Sequence, residues 1–166
     1  MTTKKNIVLK KEGDKSILVD LFYNSSNNKM PVIIFCHGYK GYKDWGAWNL
    51  VAKEFANNNF FFLKFNFSHN GGTTENPIDF PDLNAFGNNN FTHELNDIER
   101  VLSFLSDNTE FSKNIDLTKK QAEKIIDDTL LNKDDGELYL QDSINENLNP
   151  DKENFSPEEL DLEKKA

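Results

Sequence analysis

Apolar and polar positions change their spacing several times along the chain, and each change predicts an element. Asn6–Lys10 (NIVLK) and Ile17–Phe22 (ILVDLF) are β-rich runs separated by Glu12-Gly13-Asp14, whose Gly and Asp suit a tight turn, so together they predict a β-hairpin. After a polar loop at Asn24–Lys29, Pro31–Cys36 (PVIIFC) is continuously apolar. A strand covered on both faces has that character, and a central parallel strand is expected there. Ala47, Trp48, Val51, Ala52 and Phe55 then fall at helical spacing within Asp44–Asn57, with Asp44 placed to act as N-cap. Phe60–Phe65 (FFFLKF) returns to the apolar strand pattern. Strand, helix and strand predict a βαβ unit with a right-handed crossover.

A polar stretch from Asn66 to Asn89 follows. Loops longer than about 15 residues are uncommon in compact domains and often functional, so this one is expected to border any binding cleft. Phe91, Leu95, Ile98, Leu102 and Leu105 lie on one helical stripe that should face the sheet. Further on, Thr118-Lys119-Lys120-Gln121 and Ser156-Pro157-Glu158-Glu159 are helix-start signals, and Glu137–Gln141 (ELYLQ) alternates like a short strand. No internal repeat is visible.

Composition divides the chain. Residues 113–166 hold fifteen Asp/Glu against eight Lys, whereas residues 1–112 hold thirteen against eleven Lys/Arg, so the overall charge of −9 comes mainly from the tail. Thirteen of the fourteen Phe and both Trp precede position 112. The expectation is an aromatic-rich α/β domain over 1–112 and an acidic extension over 113–166, helix-strand-helix or partly disordered. An acidic protein with no clustered basic face is the wrong electrostatic partner for nucleic acid. No apolar run approaches the roughly 18 residues that read as a membrane span, and a soluble cytoplasmic protein is expected. Cys36 is the only cysteine, which rules out an internal disulfide.

Three local patterns carry chemistry: a strand running into His37-Gly38, a Gly41 to Trp48 turn into a helix, and Phe65-Asn66-Phe67-Ser68-His69-Asn70-Gly71 leaving the next strand. Together with DLNAFGNNNFTHELNDIERVLSFL, they make residues 5–106 similar to the front half of bacterial α/β-hydrolases of the dienelactone-hydrolase and acyl-peptidase-like branch. The resemblance implies an incomplete α/β-hydrolase-like sheet, made of an N-terminal hairpin, a βαβ unit and the helix after it. It also implies that the loop after the third strand supplies an oxyanion-hole donor, with Gly38 and the Tyr39 amide as candidates. His37, Ser68, His69 and Asn70 are the candidate cleft-lining residues. In that family the catalytic histidine comes late in the chain, so His37 is expected to have a structural role. His69 and His93 are expected to be loop and helix-surface residues, and Cys36 an inert thiol.

A complete member would continue to Gly-x-Ser-x-Gly, an acid and a histidine. No Gly-x-Ser-x-Gly occurs in these 166 residues, and no histidine follows His93. Ser143, in Leu138-Tyr139-Leu140-Gln141-Asp142-Ser143-Ile144-Asn145, is the nearest thing to a nucleophile. Gln141 and Asn145 occupy the positions where the strained turn wants glycine, which argues against it. The segments IDLTKKQAEKIIDDTLL and GELYLQDSINENL are weakly similar to the start of TldD/PmbA proteins, but no His/Glu or Cys cluster has ligand spacing. Neither a metal nor a cofactor is expected.

The reading that follows is a hydrolase-family chain truncated before its nucleophile and without catalysis of its own. Two alternatives stand beside it. One is an active ester or peptide hydrolase completed by a partner chain or an unrecognised site. The other is a non-enzymatic interaction module that pairs an exposed sheet edge with another chain or a second copy. Marginal stability or self-association is expected in either case where that edge stays wet.

Overall fold

The computed structural model describes residues 1–25, 28–118 and 120–125, and the statements below concern those residues. Four strands form one mixed sheet, with helices on both faces. In chain order the elements are β1 (Thr2–Leu9), β2 (Ile17–Tyr23), β3 (Val32–Cys36), α1 (Trp48–Asn57), β4 (Phe61–Asn66), α2 (Leu83–Gly87), α3 (Phe91–Asp107) and α4 (Thr109–Ser112). An α/β fold is therefore established at that level.

The strand order is β1-β2-β4-β3, with β1 and β4 antiparallel to β2 and β3 parallel to β4. The hairpin expected from the first two runs is present. β1 starts four residues earlier than its apolar run, because Thr2 to Lys4 pair with β2 while the side chains of Thr2 to Lys5 alternate between half-buried and exposed. A register shift between Lys4 and Ile7 accompanies a left-handed backbone at Asn6, whose φ is 54°. Such a bulge turns the Asn6 N–H inward, where it donates to Asp20 Oδ1 at 2.8 Å.

β3 was expected at the centre of the sheet and lies instead at its edge among the described residues, half-buried with Cys36 exposed. β4 takes the central place between β2 and β3, and both β2 and β4 are buried along their whole length. An apolar run reports that a strand is covered by helices, not which strand lies beside it. The start of the β3 edge is extended by one parallel bridge: Met30 accepts from Asp116 N–H at 2.8 Å and donates to the Asn114 carbonyl at 2.9 Å.

Odd and even positions of β2 and β4 face different layers. Ile17, Val19, Leu21, Phe61, Leu63 and Phe65 pack with Val101 and Leu105 of α3, Phe111 of α4 and Ile115. Phe22 and Phe62 pack on the other face against Ala52 and Ala56 of α1. Small residues there let the helix approach closely. The stripe expected on α3 holds at Ile98, Leu102 and Leu105, whereas Phe91 is 57% exposed at the first turn. Core packing continues past Ser112, since Ile115 and Ala122 are buried.

Two helix starts differ from expectation. Asp44 does not cap α1, which begins at Trp48 with Ala47 in the cap position and no side-chain cap bond. The long polar loop is interrupted by α2, capped by Asp82, whose Oδ1 accepts from Ala85 N–H at 2.9 Å. At Thr118 the capping box forms, with Gln121 N–H donating to Thr118 Oγ1 at 3.2 Å and Thr118 N–H donating to Gln121 Oε1 at 2.8 Å. Glu137–Gln141, Ser143, Ser156–Glu159 and the acidic extension beyond residue 125 lie outside the described residues.

Candidate functional site

Register places three connections at one end of the sheet. Cys36 pairs with Phe65, Leu18 with Asn66 and Leu9 with Ile17, so the exits of β3 and β4 and the β1–β2 turn are neighbours. Ligands of open α/β sheets bind beyond the carboxyl ends of the parallel strands. Here that end is built from the β3–α1 connection, residues 37–47, and from the segment that leaves β4 at Phe67.

The β3–α1 connection begins with a tight turn in which Gly41 N–H donates to the Gly38 carbonyl at 2.9 Å. Lys40 holds a left-handed φ of 58°, as the third position of a type II turn requires. His37 fixes the same carbonyl from the other side. Its Nε2 accepts from Phe67 N–H at 3.2 Å, so the ring proton sits on Nδ1, which donates to the Gly38 oxygen at 3.0 Å. Burial holds the His37 pKa below its ordinary value against the opposing pull of that carbonyl. Neutral and with both nitrogens committed to backbone, His37 has no lone pair left for a substrate proton.

Because peptide units are trans and planar, a Gly38 carbonyl turned inward forces the Tyr39 N–H of the same unit to point outward. That N–H has no hydrogen-bond acceptor among the described residues. Tyr39 is 81% exposed, and its ring stacks on Phe86 of α2 at 5.6 Å. Gly41 is the sterically required glycine: a Cβ there would lie 2.7 Å from the Gly38 oxygen. Gly38 itself has no left-handed φ, and a Cβ on it would meet nothing within 4 Å, so its small size leaves open space rather than relieving a protein contact.

Beneath the turn lies a group of four charges that sequence reasoning missed. Lys43 and Lys64 are fully buried, as is Asp20, and Asp44 is largely so. Lys43 Nζ reaches Asp20 at 2.9 Å and Asp44 at 2.5 Å, while Lys64 Nζ reaches Asp44 at 2.6 Å, Asp20 at 3.2 Å and the Lys43 carbonyl at 2.8 Å. Lys43 N–H donates to Asn66 Oδ1 at 2.6 Å. Two cations and two anions leave the cluster neutral, which is what makes its burial tolerable. Burial pushes the Asp44 carboxyl up, but hydrogen bonds from Lys43 and Lys64 outweigh it and hold the group well below the usual carboxylate range. Asp20 and Lys64 face each other across β2 and β4, so the network bolts the β3–α1 connection to the middle of the sheet.

The exit of β4 builds a second cleft, of about 240 Å³, lined in part by Lys15, Ser68, His69, His93, Asp97 and Arg100. Ser68 N–H donates to Asp97 Oδ2 at 2.6 Å, and Ser68 Oγ is 2.8 Å from His69 Nδ1. His69 stacks on His93 with ring centroids 3.9 Å apart. Burial, then the neighbouring charges of His93 and Lys15, lower the His69 pKa. Burial raises the Asp97 pKa, opposed by Ser68 and by Arg100, whose Nη1 lies 3.2 Å from Oδ1. A serine beside a histidine has the spacing of a nucleophile and its base. The carboxylate, however, serves the serine backbone and Arg100, and orients no His69 nitrogen.

The residues singled out from the sequence therefore separate. His37, Gly38 and Tyr39 line one cleft, Ser68 and His69 another. Asn70, buried, ties the two loops together, its side chain donating to the Gly41 carbonyl at 3.4 Å and accepting from Gly72 N–H at 3.0 Å. Cys36 is exposed at the end of the edge strand, yet shielding around its sulfur, and then the Glu94 charge, pushes the thiol up to about 11. It is not a thiolate at neutral pH. No group of three or more His, Cys, Asp or Glu among the described residues could hold a metal ion, and no described helix is long and apolar enough to cross a membrane. Comparison with protein-family models gives no match, and comparison with curated proteins gives none either.

Proposed function

We propose that this chain folds the front of an α/β-hydrolase-like sheet with its oxyanion loop preformed, and that residues 1–125 bind carbonyl or oxyanion groups without attacking them. The observation that carries this reading is the outward Tyr39 N–H, left without a partner by a Gly38 carbonyl that His37 and Gly41 hold inward. A donor fixed in advance costs no reorganisation when negative charge arrives, which is the physical basis of oxyanion stabilisation. The four-strand order and the connection between β3 and α1 support the same reading. Against an attack step stand a committed His37, an undissociated Cys36 and an Asp97 that does not orient His69.

The experiment is fluorophosphonate labelling of the full chain, followed by peptide mapping and a short-chain ester assay. The expected result is no labelled serine and no turnover. Labelling of Ser68 or Ser143 with ester hydrolysis would overturn the reading in favour of an active hydrolase.

A second reading has its own observation. β3 pairs on one side only along Val32–Cys36 among the described residues, and Val32-Ile33-Ile34-Phe35 carries no charge, bulge or proline to blunt that edge. A strand from another chain would satisfy it. Light scattering across a concentration series tests pairing with a second copy, and a monomer at every concentration would exclude that form of it.

A further inference from the structure

The β3–α1 connection, Tyr39 included, lines a cavity of about 390 Å³ to which Phe35, Tyr42, Trp45 and Trp48 also contribute. Phe35 and Trp48 are in ring contact at 4.2 Å, and Trp45 is 59% exposed at the rim. Small-molecule sites are mostly apolar and aromatic, of this size, with a few polar groups that fix orientation. An aromatic cage by itself suits a cation, which ring faces attract. This one is different. No carboxylate lines it, because Asp44 is turned down onto Lys43 and Lys64, and the one charged side chain at its rim is Lys40. The Lys40 ammonium lies 5.4 Å from the Tyr39 ring centroid and has no carboxylate partner among the described residues. His37, the remaining titratable group of the lining with nitrogen donors, is neutral and already bonded to backbone.

We propose that this cavity binds a small planar aromatic compound bearing an anionic oxygen, an aryl carboxylate or its oxyanion equivalent, with the ring against Trp45 and Trp48 and the oxygen shared between Lys40 Nζ and the Tyr39 N–H. The inference rests on the oxyanion-loop reading for the amide and names the ligand class of that same site. A positive rim and a free amide select against benzylammonium-like cations, and the aromatic walls give the ring its contact area.

The test is titration of the full chain with benzoate, with its neutral isostere benzamide and with benzylammonium, following tryptophan emission. Benzoate is expected to saturate at a dissociation constant at least about threefold below that of benzamide, a gap of the size expected for a partly exposed charge contact, with benzylammonium weakest. Lys40→Gln is expected to weaken benzoate by at least about the same factor and to leave benzamide unchanged. Trp45→Ala should weaken both, read through Trp48. Both substitutions are at exposed positions, so the fold is kept. The proposal is overturned if no ligand saturates, if benzamide or benzylammonium binds as tightly as benzoate, or if Lys40→Gln leaves benzoate unaffected. Loss of aryl-anion binding would leave the nucleophile-free reading intact, since serine labelling decides that. A labelled serine with benzoate binding preserved would remove the nucleophile-free reading and keep this site.

Discussion

Lys64→Met tests whether the buried charges hold the β3–α1 connection in place. Methionine keeps the length and apolar stem of the side chain and deletes only its ammonium, which contacts Asp44 at 2.6 Å, the Lys43 carbonyl at 2.8 Å and Asp20 at 3.2 Å. One cation then faces two carboxylates, with Asp20 fully buried. Removing one partner of a buried ion pair costs about 3–5 kcal/mol, because a charge is left uncompensated in a dry place. Small domains are stable by only about 5–15 kcal/mol, so the loss is a large share of the total. At about 2–4 °C per kcal/mol for a chain of this length, the melting temperature should fall by at least about 6 °C. Urea unfolding followed by tryptophan emission and circular dichroism measures the difference. Lys5→Met is the control: its ammonium lies 3.9 Å from the same Asp44 but in solvent, so the loss should stay under about 1 kcal/mol. Lys64→Met/Asp44→Asn removes one charge of each sign and should recover more than about 1 kcal/mol of the single-variant loss. If Lys64→Met costs no more than Lys5→Met, the cluster does not fix the connection and the account of it is wrong.

Gly41→Ala forces a Cβ to within 2.7 Å of the Gly38 oxygen and should cost about 1–3 kcal/mol, whereas Gly38→Ala meets nothing and should be neutral within about 0.5 kcal/mol; equal effects in chemical denaturation would refute the turn geometry. Tyr39→Pro deletes the outward N–H at the turn position that accepts proline, so it should abolish benzoate binding while stability falls by no more than about 1 kcal/mol; an unfolded variant would mean that this amide has an internal role. Asp44 has a carboxyl held low in the folded state, so its contribution is complete above the unfolded carboxylate value of about 3.9 and is lost as pH falls through the lower folded value. Acid unfolding should accordingly be steeper in the wild type than in Asp44→Asn. His37 is also held low, so the unfolded chain takes up more protons than the folded one just below pH 6.5, and stability should decline as pH drops from 7.5 to 5.5. A flat profile over that window would contradict a neutral, half-buried His37.

Element type was legible wherever burial imposed a period. ILVDLF, FFFLKF and the α3 stripe announced themselves because one face or both must be apolar. Placement was less so. PVIIFC read as a central strand, yet insertion of β4 between β2 and β3 moved it to the edge, and strand order is set by long-range pairing that no local window contains. Asp44 looked like a helix cap because it precedes a helical pattern; two lysines, one adjacent and one on β4, outbid the α1 backbone for its oxygens. The buried charges stayed invisible for the same reason. Asp20 within ILVDLF and Lys64 within FFFLKF each look like an isolated polar intrusion, and only the β2–β4 register shows that they meet. The need for Gly41 rather than Gly38 was not legible, since it depends on a carbonyl three residues away in the finished turn.

The inward aspartate of β2 also ties the first hairpin to residues that come later in the chain. Its nearest compensating ammonium, on Lys43, lies 23 positions downstream, and the other comes only with β4. A hairpin of the first two strands would have to strand a bare carboxylate among Phe22 and its apolar neighbours, or leave that surface hydrated. The dry surroundings of Asp20 therefore exist only once Lys43 and β4 are in place, which couples the inner face of the hairpin to the rest of the sheet.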